Sequence, residues 1–410
     1  MTHHIAIIGS ALSGNKGASA MLESSIATLS ARVPDVHFTL FSMYPAEDTR
    51  LNNYDNLEIV PATPAKLGVT INSLALLYRI APFLRSTIRH RSRAIAALAS
   101  ADALLDQGGI TFTDGREKFL LYNVASILPA LNLHVPVIKC AQAIGPFEGR
   151  INRWVSKVFL PKVTLTITRG AITHGFADGL GLTNTARGAD YAFSLELDGD
   201  ERESLTGKLD VDFFDAPGEV VGFAPSVVMQ KKVDSQGGHY VQGLVDAIMA
   251  TLVAGHRVLL IPHSTRTGTD KTHNNDLPLC REIAQEVGAT AGFLFIDDEL
   301  TSQQLRYLIG QSARFVTSRF HAMISSLSMA VPTVVIGWSH KYQEVLDLFG
   351  LSDRAFGAAE FSTERVLSEL SRLEHDDADV RAAITSNLPA VKALSLSQAD
   401  RIAAIVTRSE

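Results

Sequence analysis

The sequence predicts an α/β protein of two doubly wound, Rossmann-like domains facing a cleft. Three observations carry this expectation. The chain has 410 residues, more than one ordinary core holds, since domains run to roughly 100–200 residues. Short apolar runs alternate with helical patterns in two separate series. Between the series lies an acidic interval, 196–218, with Asp198, Asp200, Glu201, Glu203, Asp210, Asp212 and Asp215. It reads as a solvated linker with a surface helix.

The first series predicts strands at 5–8, 37–41, 57–60, 103–106, 136–140 and 164–168, with helices that include 18–30 and 117–131. The runs are short and bounded by turn residues, as in strands buried on both faces of a parallel sheet. Parallel strands need helical crossovers, which are right-handed. The second series predicts strands at 220–224, 257–261, 293–296, 314–317 and 333–336, with helices at 240–252 and 302–310. Apolar residues at helical spacing over 391–406 predict a closing helix. The domain limits that follow are 1–200, 219–385 and a C-terminal helix, 386–410, packing back on the first domain.

Composition narrows the function. With 46% hydrophobic and 20% charged residues, the chain is that of a folded globular protein. A net charge of −6 excludes nucleic-acid binding by overall electrostatics. Cys140 and Cys280 fall in different domains without metal-ligand spacing, so both read as core residues in a reducing cytoplasm. The start, Met1-Thr2-His3-His4-Ile5, runs into a strand and lacks signal-peptide features. No stretch approaches the ~20 apolar residues that span a bilayer.

Ligands of open α/β sheets bind at the carboxyl ends of the strands, so residues just after strands are the candidates. After the first strand comes Gly9, then Ser13-Gly14-Asn15-Lys16-Gly17. Glycines admit a ligand to the backbone and a helix N-terminus favours anions, but the spacing is neither GxGxxG nor a P-loop. A tight turn explains it equally well. Asp106-Gln107-Gly108-Gly109 follows another strand, with Asp114 soon after. These carboxylates suit a base or a contact to sugar hydroxyls. Asp114 with Glu117 also fits a capping box. Gln142, in Gln142-Ala143-Ile144-Gly145-Pro146, emerges at the cleft edge. Arg169 follows the strand at 164–168, where it suits an anionic ligand or an ordinary ion pair.

In the second series His263 ends a strand and leads to Ser264, Thr265 and Arg266. Arg319 and His321 follow the strand at 314–317 and precede a helix. Arginine offers a two-pronged fork for carboxylate or phosphate, and histidine exchanges protons near neutral pH. Two such groups beside a helix N-terminus point to function, together with Ser318 and Phe320. After the next strand come Gly337-Trp338-Ser339-His340-Lys341-Tyr342, whose aromatics suit sugar rings or simple packing. No Cys/His cluster predicts a metal, and no GxSxG elbow predicts a serine hydrolase.

These residues resemble the polysaccharide pyruvyl transferases. The likeness rests on Gly14-Asn15-Lys16-Gly17-Ala18, Gln107-Gly108-Gly109, Gln142-Ala143-Ile144-Gly145-Pro146, Arg169, Ser318-Arg319-Phe320-His321-Ala322 and Trp338-Ser339-His340-Lys341-Tyr342, in order over about 5–351. The chain departs at Gly17-Ala18-Ser19, where the family has Gly-Asp, and at Gln107, where some members have a third glycine. The resemblance implies a fold like the GT-B glycosyltransferases, with an acceptor side in 1–200 and a donor side in 219–385. It implies transfer of pyruvate from phosphoenolpyruvate to two hydroxyls of one sugar, giving a cyclic ketal, without a metal or cofactor. It assigns Arg169, Arg319 and His321 to the donor, with Ser318, Phe320, His340 and Lys341 beside them. The acceptor contacts expected are Asn15, Gln107, Gln142, His263 and Trp338. His321 and Arg319 are the expected catalytic pair, with Asp106 or Asp114 acting on the acceptor. The product class is a cell-envelope polysaccharide or glycolipid.

One segment reverses the chain's charge. From 59 to 101 there is no acidic residue, while Lys66, Arg79, Arg85, Arg89, Arg91 and Arg93 lie among leucines and aromatics. Two readings stand: a core-facing helix with solvated arginines, or peripheral docking of 66–93 on an anionic membrane that presents a lipid-linked glycan. Rival functions are a nucleotide-sugar glycosyltransferase of the same fold and a non-catalytic glycan- or anion-binding protein.

Overall fold

The computed structural model describes residues 2–266, 274–337 and 339–409. It divides into two compact units. The first comprises Met1–Ser13, Met21–Ser194 and Lys392–Glu410, and the second Gly14–Ala20 and Leu195–Val391.

The first unit holds seven strands: β1 (His4–Ile8), β2 (His37–Ser42), β3 (Leu57–Pro61), β4 (Ala103–Asp106), β5 (Val137–Gln142), β6 (Leu165–Thr168) and β7 (Thr185–Arg187). All pair in parallel, in the order β3-β2-β1-β4-β5-β6-β7. The strands are apolar on both faces because helices cover both, as the sequence implied. The second unit repeats the plan with β8 (Val220–Ala224), β9 (Arg257–Leu260), β10 (Phe293–Phe295), β11 (Arg314–Thr317), β12 (Thr333–Ile336) and β13 (Ala355–Phe356), ordered β10-β9-β8-β11-β12-β13. The strand order of each sheet therefore reverses once, between β1 and β4 and between β8 and β11. Such switch points leave a crevice at the carboxyl edge where ligands bind.

Three expectations change. The acidic interval is not a bare linker. Its helix Glu201–Leu205 and the turn Val211–Phe214 pack on the second unit. There Leu205 is fully buried in the core with Phe213 and Phe214 against it. The apolar residues were too few to show periodicity amid the carboxylates. The closing helix starts earlier than 386 or 391. One helix runs Asp377–Val406 through Pro389, and only its part from Lys392 groups with the first unit. There Ser395 Oγ donates to Asp190 O (2.9 Å) and Gln398 Nε2 to Ala189 O (2.7 Å). Finally, Gly14–Ala20 lies in the second unit although the chain around it builds the first. Gly14–Asn15 forms a two-stranded antiparallel ladder with Ser264–Thr265, a long-range pairing that local pattern does not encode.

Candidate functional site

The second unit's switch point is built from its own backbone. Ser318 N–H donates to Ala224 O at the end of β8 (3.1 Å), and Thr317 Oγ1 donates to the same oxygen (3.1 Å). Thr317 Oγ1 accepts Arg319 N–H (2.9 Å). Arg319 then stands, in extended conformation, as the N-cap of the helix Phe320–Ser328. Ser318 is buried. Its Oγ bonds Tyr240 Oη (2.7 Å), and its carbonyl accepts the Tyr342 hydroxyl (2.9 Å). Strand β11, the turn after it and two tyrosines thus fix where Arg319 and His321 start.

Arg319 reaches a partner that the sequence reading missed. Its guanidinium pairs with Asp276, itself fully buried, and Nη1 donates to Asn274 Oδ1 (2.8 Å). Asp276 also accepts backbone N–H groups of Val227 (3.1 Å) and Ser264 (3.1 Å). It is therefore the hub that ties three loops to Arg319. Burial acts to lower the Arg319 pKa, but the charge and hydrogen bond of Asp276 outweigh it and hold the cation above its ordinary value. Arg319 Nε is buried and has no hydrogen-bond partner among the described residues. The signal in the sequence was Asn274-Asn275-Asp276 before Leu277-Pro278, a run of short polar residues at a helix start.

His321 lies on the same turn, edge-on to Phe320 (5.1 Å between centroids). A Cβ added at Gly17 would run into the His321 ring, so only glycine lets the first helix pass this close. Asn15 Oδ1 accepts Gly17 N–H (3.1 Å), and Lys16 N–H donates to His263 O (3.3 Å). Asn15 thus caps its own helix, a local role in place of the acceptor contact expected. His263 is buried at 3% exposure. Burial, then the nearby His321 and Arg319, push its pKa well below the ordinary value. His263 is thus a neutral neighbour of the Arg319 cation and not an exposed acceptor contact.

Phe320 is buried edge-on to Tyr342 (5.4 Å), and Lys341 Nζ sits 4.4 Å from its ring centre. Phe320 is packing that positions Lys341 through a cation–π contact. His340 and Lys341 open the helix His340–Asp347 beside it, both half-buried. The second unit therefore gathers Arg319, His321, His263, Lys341 and Gly17. Trp338 lies outside the described residues.

The first unit's candidates have structural employment. Asp106 is 2% exposed, ion-pairs with the fully buried Lys139, and accepts Gly108 N–H (2.9 Å). A carboxylate so enclosed is not placed to deprotonate an acceptor, which corrects that expectation. Gln142 is fully buried. Its Oε1 accepts Thr111 Oγ1 (2.6 Å) and its Nε2 donates to Asp106 O (2.7 Å). Gln107 is buried too, with Nε2 on Met21 O (3.4 Å). Asp114 clasps the next loop, accepting N–H from Glu148 (2.7 Å) and Gly149 (3.0 Å) and the Asn152 amide (2.7 Å). It is a loop clamp in place of the acid–base role or the capping box. Arg169 is 1% exposed, pairs with Asp190 (3.0 Å) and donates from Nε to Ala141 O (2.9 Å). A Cβ at Gly9 would come within 2.6 Å of Gly108 N, so these glycines serve close backbone packing at the first switch point.

The remaining reactive groups are quiet. Burial pushes both thiols up, helped by Asp106 at Cys140 and Asp276 at Cys280, so neither is a nucleophile at neutral pH. Glu219, His256 and Glu374 come together on the surface, but Arg314 already bridges the two carboxylates.

A family described as polysaccharide pyruvyl transferase matches residues 15–340. Among solved structures, a UDP-GlcNAc 2-epimerase from Neisseria meningitidis bound to UDP-GlcNAc aligns at TM-score 0.62 and 10% identity, over 100% of both chains. MnaA of S. aureus in a co-structure with UDP aligns at TM-score 0.61 and 10% identity, over 97% of this chain and 94% of that one. A glycosyltransferase from Rickettsia africae ESF-5 gives TM-score 0.58 and 10% identity over 100% of both. At such identity the likeness speaks to fold alone.

Proposed function

The chain belongs to the polysaccharide pyruvyl transferase family, and from that premise we propose that it moves pyruvate from phosphoenolpyruvate onto two hydroxyls of one sugar residue. The observation that carries this reading is the turn holding Arg319 and His321 at the second unit's switch point. A half-buried cation, whose buried Nε–H has no hydrogen-bond partner among the described residues, and a histidine two residues on stand beside the N-terminus of the helix Phe320–Ser328. Phosphoenolpyruvate presents the matching chemistry, a carboxylate and a phosphate on three carbons.

Each residue has a task. Arg319 holds the carboxylate or phosphate of the donor, with the helix amides and Lys341 adding positive potential. Asp276 and Asn274 hold the guanidinium plane, so its remaining donor is pre-aimed. His321 donates a proton to the methylene carbon, leaving an oxocarbenium-like centre at C2. His263, kept neutral, adds no competing charge.

The atoms balance. The methylene gains a proton and becomes methyl. One sugar hydroxyl bonds to C2 and loses its proton. The C2–O bond to phosphate breaks and phosphate leaves with the bonding pair. The second hydroxyl bonds to C2 and loses its proton, closing the ketal. Of the two hydroxyl protons, one restores His321 and the other leaves with phosphate.

The test is incubation with phosphoenolpyruvate and candidate glycans, read by mass spectrometry for a ketal. Thermal shift with phosphoenolpyruvate, a nucleotide sugar and phosphate is the companion. Stabilisation by the nucleotide sugar alone, with no ketal formed, overturns the proposal.

A further inference from the structure

Among the described residues, eight large apolar side chains stand out as exposed, and seven of them lie in the first unit, from Val69 to Trp154. Four fall on one segment: Val69, Leu76, Ile80 and Phe83 are 68%, 50%, 68% and 83% exposed. Val69, Leu76 and Ile80 recur at intervals of seven and four residues, which puts them on one side of helical backbone, and Phe83 follows just beyond its end. Leu67, Ile71 and Ala75 on the opposite side are buried in the core. This helical segment is thus apolar on two sides, and the first unit uses one. At Ala81-Pro82 the backbone bends through 119°, and Ile80 and Phe83 flank that elbow.

The charge around the stripe has one sign. No acidic residue occurs from 59 to 101 in a chain of net charge −6. Lys66, Arg79, Arg85, Arg89 and Arg91 are exposed, and among the described residues none has a carboxylate partner. Arg79 donates to Asn132 Oδ1 (3.3 Å) and Arg85 to Tyr78 O (3.0 Å) instead. A second helix, Arg150–Phe159, shows the same combination. Ile151 and Trp154 are 68% and 67% exposed beside Arg150, Arg153 and Lys157, with no acidic residue. A groove of about 430 Å³ is lined by Arg79 of the first segment and Phe159 of the second, together with His134 and Lys162.

We propose that this face of the first unit docks on the surface of an anionic phospholipid bilayer. Ile80, Phe83 and Trp154 enter the boundary between headgroups and acyl chains, and the arginines meet the lipid phosphates. Among the described residues no single helix is long and apolar enough to cross a membrane; the pair Lys66–Ile80 and Pro82–Arg91 together has the length and composition, but it bends by 119° and buries Leu67, Ile71, Ala75 and Ile88 in the core, so the contact proposed is peripheral. A second copy of this chain is a poor occupant, because a two-fold contact sets arginine against arginine. The charge pattern asks for a negative partner, and the exposed aromatic and aliphatic groups ask for one that accepts insertion. An anionic bilayer offers both.

The experiment is flotation of the full chain with vesicles of equal parts phosphatidylglycerol and phosphatidylcholine, against pure phosphatidylcholine. Binding is expected on the anionic vesicles only, weakened by high salt. Ile80→Asp with Phe83→Asp, and separately Arg85→Glu with Arg89→Glu, should each cut the floated fraction about tenfold. These side chains are exposed, so thermal melting should be unchanged, and ketal formation on a water-soluble acceptor should be too. Equal binding to neutral vesicles, or flotation undiminished in folded variants, overturns the proposal. So does capture of an acidic protein by a chain that floats with neither vesicle. Flotation and thermal melting do not depend on the donor chemistry, so either proposal can fail alone.

Discussion

Arg169 and Arg319 each follow a parallel strand and each meet a buried aspartate, yet what surrounds the two pairs differs. Arg169 is 1% exposed and Asp190 fully buried. The Arg169 guanidinium also donates from Nε to a backbone carbonyl of its own unit. Arg319 is 12% exposed as a side chain and caps a helix whose next residues are Phe320 and His321. Its neighbours include a neutralised histidine. The first pair is closed and holds a fold together. The second is braced by Asp276 on one side, is partly exposed, and stands beside His321 at a helix start. An arginine after a strand announces neither fate. The number of loops that converge on its partner, and what stands at the helix start, decide it.

The largest expected effect tests the second pair's surroundings. His321→Ala should lower kcat by about 10²–10⁴-fold, the range that one general acid contributes, measured as ketal formed per minute. Near-normal turnover would end its assignment as the acid. The first pair should break differently. Asp190→Ala leaves a buried guanidinium without its carboxylate and should cost about 3–5 kcal/mol of stability, read as denaturant midpoint. An Asp190→Ala protein as stable as the parent would show the pair to be less closed than its burial implies.

A smaller effect sharpens the contact between the early glycine loop and the active turn. Gly17→Ala drives a methyl into the His321 ring and should lower kcat roughly 10–100-fold, matching about 1–3 kcal/mol of overpacking. Thermal stability should fall too, since the methyl also meets His321 Cβ at 2.4 Å, which no rotation of the ring relieves. Unchanged kcat would mean that His321 works from another rotamer.

The smallest effect concerns a histidine with no part in the chemistry. His4 bonds Ser100 Oγ (2.9 Å) and Thr39 Oγ1 (2.8 Å). Burial, with His37 nearby, lowers its pKa from 6.5 to about 4. The unfolded chain therefore binds more protons than the folded one between those values, so stability falls as pH drops from 6.5 towards 4. His4→Gln should remove part of that fall, a change of roughly 2–4 °C in Tm for each kcal/mol. An identical pH profile in the variant would place the acid sensitivity elsewhere.

Most of the fold was legible. The apolar runs that became β1–β6 and β8–β12 stand out because strands covered by helices on both faces need side chains apolar throughout. The short edge strands β7 and β13 escaped, since two or three residues carry no pattern. In the candidate site, the turn at Arg319 and His321 was visible as strand, cation, imidazole and helix start in immediate succession. Asp276 was not, because a loop aspartate forty residues away shows nothing until the chain folds. Asp106, Asp114 and Gln142 were visible for the wrong reason, and Arg169 was visible without its partner Asp190. A polar residue after a strand looks the same whether it faces a ligand or bonds the next loop.

The sequence by itself determined the two parallel sheets, the Arg319–His321 turn and the family to which the chain belongs. These are matters of local order: hydrophobic period, turn chemistry and neighbouring functional groups. The tertiary structure alone decided which charges are already answered. Asp106 finds Lys139, Arg169 finds Asp190 and Arg319 finds Asp276 across 33, 21 and 43 residues of chain. It also set Gly17 under His321 within the second unit. Such pairings depend on burial and on contacts between distant segments, and the free energy of a buried charge is fixed by the groups that enclose it, not by its neighbours along the chain.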